Sequence, residues 1–337
     1  MLKSLKDFLL KSEAPRQELL PIEWLTVGYV AFTSIVMLIF GSRMTDIAQM
    51  ILLRAGALAV VGCGFYLYRR FPVKLTLMLR VAVQVGLLAF WYPDLYGICR
   101  IFPNADYPFA VLEQHIFGCQ PALLFSEVCT SKFLSECFYM GYFFYFPMIA
   151  LVLIYYFIAR PAGFEKCATI ILGAFFTYYL VFMFLPVAGP QYYFNAIGLD
   201  AAYAGDFRPV GDWFNSNIDM LEPPGWKEGF FYKTLAVVRD SGERPVASFP
   251  SSHVGVSTIL MVMAVKARSK GLLAVLTPLW VFLCCATIFI RAHYVIDVIA
   301  GFITAPLVYL LLNRIFKKST TSGTSYHVIS KDTKSTS

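Results

Sequence analysis

The chain has 337 residues, 58% of them hydrophobic and 15% charged, with a net charge of +7 at pH 7. A soluble domain carries about 25% charged residues, so the apolar surplus has to face lipid, which excludes a soluble globular enzyme. The positive charge is spread between apolar runs, which speaks for membrane topology and against nucleic-acid binding.

Residues 1–21 alternate Leu and Phe with Lys at helical spacing and read as an amphipathic segment lying on the cytoplasmic membrane surface. The first apolar run is full length and no small-residue cleavage site follows it, so no cleavable signal is expected. Runs of about 17–25 apolar residues can cross a bilayer as helices. Eight are found, at 22–41, 47–68, 75–97, 134–158, 167–186, 252–267, 271–290 and 293–315. The expected fold class is an all-α polytopic membrane protein with about eight transmembrane helices. Residues 22–98 form an N-terminal three-span block. Residues 99–133 are too broken to span and are expected to be re-entrant or interfacial, a structure tolerated when buried against protein. The longest polar segment, 187–250, is rich in Pro, Gly, Trp and Tyr and is expected to be an ordered cap at the interface. Residues 317–337 are expected to be a disordered cytoplasmic tail in which His327 is inert.

Charge sets the orientation. With both termini cytoplasmic, every inner segment is basic: Lys3, Lys6, Lys11 and Arg16; Arg69, Arg70 and Lys74; Arg160 and Lys166; Lys266, Arg268 and Lys270; Arg314, Lys317 and Lys318. This positive-inside pattern puts His253 and His293 on the outer side. No pair of the eight cysteines has metal-ligand spacing with a histidine beside it. Cys99, Cys119 and Cys129 fall in an outer segment, where a disulfide is open to them.

Two strings carry chemistry, SFPSSHVG at 248–255 and IRAHYVIDVIAG at 290–301. Pro250 and the serines suit a helix entry, and Ser251 and Ser252 can cap free N–H groups. Those donors and the positive end of the helix dipole make an anion site beside His253. Asp297 lies four residues after His293, on the same helix face. It can accept from one ring nitrogen and leave the other free to attack, which is triad logic with histidine as nucleophile. Arg244 and Arg239 can reach a phosphate at that helix end, and Arg291 can do so through a turn. The bland alternatives are a capped helix with an incidental histidine and a His–Asp pair that only ties two spans together. Gln191, Tyr192 and His115 lie near outer helix ends and are candidate substrate contacts, as are Asp94, Glu113 and Glu136. Arg54, Arg80 and Asp94 inside apolar runs raise a further alternative, an ion path in a transporter, with Arg80 near enough to the inner surface to snorkel.

The two strings resemble the type 2 phosphatidic acid phosphatase superfamily of lipid phosphatases and phosphotransferases. Pro250–His253 is similar to its Pro-Ser-Gly-His signature, with Ser252 for Gly. His293-x3-Asp297 is similar to the end of its Ser-Arg-x5-His-x3-Asp signature, with Thr287 where the Arg should stand. The Lys-x6-Arg-Pro signature is missing. The resemblance covers about 110–302 and is nearest to the inositol phosphorylceramide synthase branch, through His115–Phe125, the Tyr/Phe-rich 138–157 and Pro186–Pro190. It implies a six-helix-type catalytic domain over 99–316 with an outer-face cap. It implies His293 as nucleophile forming a phosphohistidine, Asp297 as its orienter, His253 as the proton carrier, and no metal or other cofactor. The activity it suggests is transfer of a phosphoryl headgroup such as phosphoinositol from a glycerophospholipid donor to a ceramide-type acceptor. The alternative is a phosphatase acting on phosphatidic acid, a polyprenyl diphosphate or a lipid A phosphate. A multi-pass protein of a bacterial inner membrane is the expected setting.

Overall fold

The structure is a computed structural model that describes residues 2–322, without side chains for 2–5, 238–241 and 317–322. The expected tail over 323–337 with His327, and the Arg239 side chain, lie outside the described residues. The chain forms helices α1 (Leu2–Leu9), α2 (Pro21–Ile39), α3 (Ile47–Arg70), α4 (Lys74–Gly86), α5 (Leu88–Cys99), α6 (Asp106–Phe117), α7 (Pro121–Val128), α8 (Lys132–Phe143), α9 (Tyr145–Ala159), α10 (Pro161–Phe184), α11 (Pro190–Ile197), α12 (Leu199–Ala204), α13 (Phe230–Gly242), α14 (Ser252–Lys266), α15 (Lys270–Phe289) and α16 (Val295–Ser322). No strand is found among the described residues; the fold is all-α.

Six helical stretches are long and apolar enough to cross a membrane: Pro21–Ile39, Ile47–Arg70, Lys74–Cys99, Pro161–Phe184, Lys270–Phe289 and Val295–Phe316. A seventh is the pair α8–α9, bent by 52°, and α14 is a shorter apolar helix. The eight apolar runs of the sequence thus all become helices, one bent and one short. Large apolar side chains such as Leu38, Leu52 and Ile303 stand exposed around the perimeter, as a lipid-facing surface requires. Within the spanning windows 78% of α10 is buried but only 17% of α3, so α10 is the central post and α3 lies at the rim.

The bend in α8–α9 has a packing cause. Gly141 lets α8 press against α15, where a Cβ would lie 2.5 Å from the Leu283 nitrogen. After Phe144 the chain changes partners, and α9 packs on α10 and α14. The basic ends gather at one end of the bundle. Arg160 donates to the Ala267 carbonyl at 3.0 Å, Arg16 pairs with Glu165 at 2.7 Å, and Lys74 N–H donates to the Lys11 carbonyl at 3.1 Å. The cysteine thiols are all free, Cys99, Cys119 and Cys129 included.

The charges inside the N-terminal block do not line a path. Arg54 on α3 forks onto Asp94 on α5 (Nε–Oδ1 3.0 Å, NH2–Oδ2 2.6 Å) and also donates to Thr33 and Ser34 on α2, each at 3.0 Å. Arg80 does not snorkel. It is fully buried and forks onto Glu23 on α2 at 2.7 and 2.5 Å, because a guanidinium in an apolar interior is held by a matching carboxylate. These pairs staple the first three spans together. Replacing Arg54 alone with Leu strands Asp94 and is expected to cost about 3–5 kcal/mol. The double replacement Arg54→Leu with Asp94→Leu is expected to recover most of that loss, as read by thermal unfolding in detergent.

Candidate active site

The site is built where two chain reversals meet. Ser251 caps α14 as the sequence suggests: its Oγ accepts from Val254 N–H at 3.3 Å. Its own N–H donates to the Asp297 carbonyl at 3.0 Å, which ties the start of α14 to the first turn of α16. That approach needs Gly301, where a Cβ would lie 2.8 Å from the Ser251 carbonyl oxygen. His253, on the first turn of α14, packs between Tyr142 and Tyr145, with ring centroids 4.7 and 4.5 Å away.

The second reversal lies between α15 and α16. Arg291 takes the left-handed backbone (φ 66°), and His293 N–H donates to the Thr287 carbonyl at 3.0 Å. Carboxylates then meet the free N–H groups at the start of α16. Asp297 Oδ2 accepts from Tyr294 N–H at 2.8 Å, and the two oxygens of Glu113 accept from Val295 and Ile296, each at 3.2 Å. Asp106 holds the opposite flank. It accepts from Ala188 N–H at 2.6 Å, Gly189 N–H at 2.8 Å and the Tyr294 hydroxyl at 3.1 Å. Gly189 must be glycine, since its φ is 92° and a Cβ would lie 2.5 Å from the Ala292 carbonyl oxygen.

His293 is almost wholly buried. Its Nδ1 faces the Ser248 backbone carbonyl at 2.8 Å, and Asp297 Oδ2 stands farther off at 3.7 Å. A carbonyl can only accept, so Nδ1 carries the proton and Nε2 carries the lone pair. Sequence spacing suggests Asp297 as the direct partner of the ring. Instead the carboxylate accepts from the Ser248 hydroxyl at 2.5 Å and acts on the imidazole as a nearby charge. Nε2 of His293 points to Nδ1 of His253 at 3.3 Å.

Both histidines line a cavity of about 450 Å³. Its walls are largely aromatic and apolar, with Tyr92, Tyr145, Phe146, Phe175 and Tyr179 among them. The polar lining includes Ser252, Gln191, Glu243 and Arg244. Gln191 donates to Glu243 at 2.7 Å and the Tyr142 hydroxyl does so at 3.1 Å. Arg244 is fixed through its backbone, which both donates to and accepts from the Tyr92 hydroxyl at 3.2 and 3.0 Å.

Of the residues singled out from sequence, His253, His293, Ser252, Gln191 and Arg244 converge on this cavity, with Asp297 directly behind His293. The others do not reach it. Ser251 is used up in the helix cap. Tyr192 is buried in a separate cluster with Ala188 and Phe214. Arg291 turns away and donates to Ser126 at 3.1 Å, since its left-handed backbone directs it outward from the His293 side. His115 is exposed, on the outward face of α6. Asp94 is taken by Arg54, Glu113 by α16, and Glu136 by the N–H groups of Phe231 and Tyr232 at 2.9 and 3.1 Å. Sequence reasoning missed Ser248 and Asp106. Ser248 opens the first string, but only the fold brings its carbonyl to His293. Among the described residues, no group of three or more His, Cys, Asp and Glu is placed to hold a metal ion.

Residues 110–311, more than half of the chain, match the PAP2 superfamily. The chain belongs to that superfamily. As a PAP2 member it is a membrane enzyme of the lipid phosphatase and phosphotransferase type. No curated protein and no solved structure matches it. The PAP2 match takes in most of α6, α7–α15 and most of α16 and leaves the three N-terminal spans outside, although Tyr92 of α5 lines the same cavity.

Two outcomes follow from this geometry. A hydrogen bond to a charged group is worth about 1.5–3 kcal/mol. Felt in the transition state, that is about ten- to a hundredfold in rate. Ser248→Ala is therefore expected to lower kcat by about that factor and, because it strips the buried Asp297 of a donor, to lower stability by about 1–3 kcal/mol, with His293 still held by the carbonyl on Nδ1. The second outcome concerns pH. Burial, with Asp297 nearby, outweighs the two backbone donors and pushes the Glu113 carboxyl from 4.5 up to about 7. Between those values the native state binds more protons than the unfolded chain, so stability falls as pH rises across that window. Unfolding measured from pH 4 to 8 should show a decline that Glu113→Gln flattens.

Proposed function

We propose that this PAP2 enzyme moves a phosphoryl headgroup, phosphoinositol by preference, from a glycerophospholipid to a ceramide-type alcohol through a phosphohistidine. The observation that carries the reading is the pair of imidazoles 3.3 Å apart on the wall of an aromatic cavity, with the Nδ1 of His293 held by a carbonyl. In the first half-reaction Nε2 of His293 attacks phosphorus and the bond to the diacylglycerol oxygen breaks. Protonated His253 gives its proton to that oxygen. In the second, the acceptor hydroxyl attacks phosphorus, the P–N bond breaks, and neutral His253 takes the hydroxyl proton, which restores both imidazoles. The phosphoryl group has to part the two rings to enter. The Ser248 hydroxyl and Asp297 stabilise the positive charge that grows on His293 as it attacks.

Arg244 is the cation among the described lining residues and suits the phosphate. Glu243 and Gln191 on the same wall are hydrogen-bonding groups for hydroxyls, which supports a polyol headgroup over a bare phosphate monoester. The basic ends of the bundle are proposed to face the cytoplasm and the histidines the outer side, in keeping with the positive-inside rule.

The test is purified protein with labelled phosphatidylinositol, with and without ceramide. Headgroup transfer that needs ceramide is expected, with His293→Ala and His253→Ala each losing turnover by about a thousandfold or more and with activity kept in EDTA. Free phosphate released from phosphatidic acid, with no transfer to ceramide, would replace this reading with a phosphatase.

A further inference from the structure

Residues 243–248 run along the cavity as a strap between α13 and α14. One end carries Glu243 and Arg244, and the other ends at Ser248, whose carbonyl holds His293. The strap is pinned along its length. Glu243 accepts from Gln191 and Tyr142, at 2.7 and 3.1 Å. Ala247 pairs with Val187, and the Ser248 N–H donates to the Val187 carbonyl at 2.9 Å. Between these pins the Arg244 backbone meets the Tyr92 hydroxyl, which accepts from its N–H at 3.2 Å and donates to its carbonyl at 3.0 Å. A phenol can do both at once because it has one O–H and its own lone pairs.

The guanidinium follows that backbone. Its NH1 donates to the Glu243 carbonyl at 2.7 Å, so the side chain is curled against the strap and moves with it. An extended chain advances at most about 3.6 Å per residue, which keeps the Arg244 backbone within roughly 14 Å of the residue that holds His293. Tyr92 is in turn placed by the N-terminal block. It lies on α5 two residues before Asp94, which Arg54 grips from α3. One turn further on the same face, the Tyr96 hydroxyl donates to the Phe214 carbonyl at 2.5 Å. Thus Tyr92 ties α5 to the strap, and Tyr96 ties it to the outer segment ahead of α13.

We propose that Tyr92 is a positioning residue for phosphate binding: its hydroxyl fixes the Arg244 backbone and so sets the guanidinium where the substrate phosphate docks. The three N-terminal spans, which lie outside the PAP2 match, then serve catalysis by holding the cation of the cavity in place. The proposal rests on Arg244 as the phosphate-binding group and not on the identity of the headgroup or the acceptor.

The test is a double-mutant cycle on full-length protein purified in detergent, with Tyr92→Phe, Arg244→Gln and both together. The first readout is the dissociation constant of inorganic phosphate, taken from its shift of the unfolding temperature and so independent of turnover. The second is kcat/KM with phosphatidic acid, and with phosphatidylinositol plus ceramide. Loss of two neutral hydrogen bonds corresponds to about tenfold. Tyr92→Phe is therefore expected to weaken phosphate binding about tenfold and to lower kcat/KM by a similar factor, mainly through KM. On the Arg244→Gln background the same change is expected to do almost nothing, because residues that act through one contact are not additive. Tyr96→Phe, which loses the bond to Phe214, is expected to leave the phosphate constant unchanged. Full additivity of Tyr92→Phe with Arg244→Gln, or an equal loss in Tyr96→Phe, would mean a general loosening of the fold and overturn the proposal. An Arg244→Gln protein that binds phosphate normally would overturn it as well. A cycle that holds while no headgroup reaches ceramide would support the clamp and count against the phosphoinositol reading alone.

Discussion

The Asp297 carboxylate is the constraint on which the site depends. It is fully buried one turn into an apolar helix, where a charge survives only if the surrounding chain is organised around it. Its Oδ2 takes the Ser248 hydroxyl and the Tyr294 N–H, and its backbone carbonyl takes the Ser251 N–H. These three partners belong to the segment before α14, the turn before α16 and the cap of α14. One residue thereby fixes the relative positions of both histidines. The carboxylate does this without touching the ring of His293, which is free to be held by the Ser248 carbonyl.

The same solution recurs on other helices. Glu113 satisfies the start of α16, Glu136 the start of α13, and Asp106 the turn into α11. In each case a buried or half-buried acid meets backbone N–H groups at a helix start or turn that helix geometry leaves without a partner. The short helices α6 and α7, too broken to span, are retained for this work. α6 carries both Asp106 and Glu113 and sets them against the turns that hold His293. In the N-terminal block acids meet guanidinium groups instead, and the result is a rigid support that leans on α10.

Rigidity around the histidines contrasts with the openness beside them. α10 is a shared post: α9, α14 and α16 pack on it from one side and α2 and α5 from the other. The cavity lies where these two groups of helices fail to close over its Phe175–Tyr179 stretch. Imidazoles fixed by backbone carbonyls and tyrosine rings sit at a wall whose other members are aromatic and apolar. An apolar, aromatic wall of this kind disfavours water, which is what the proposed transfer to an alcohol requires.

The sequence by itself determined the helical class, the placement of all eight apolar runs, the convergence of the basic ends and the choice of His253 and His293 as candidates. Each is written in local pattern: apolar length, charge between runs, and a Ser-capped helix start before His253. His293 and Asp297 were legible as neighbours because helix periodicity alone puts positions i and i+4 on one face. Which atom holds His293 was decided only in three dimensions, since the Ser248 carbonyl comes from forty-five residues away and a backbone acceptor leaves no mark in sequence. Tertiary packing also decided the fates of the charged residues. Arg291, two residues from His293, turns away from it on its left-handed backbone. Arg54 and Arg80 meet acids on other helices, and Glu113 caps a helix in place of binding a polyol. Local pattern records that a charge is present in an apolar run, but its partner is fixed by which helices touch, and that depends on side-chain shape along the whole interface.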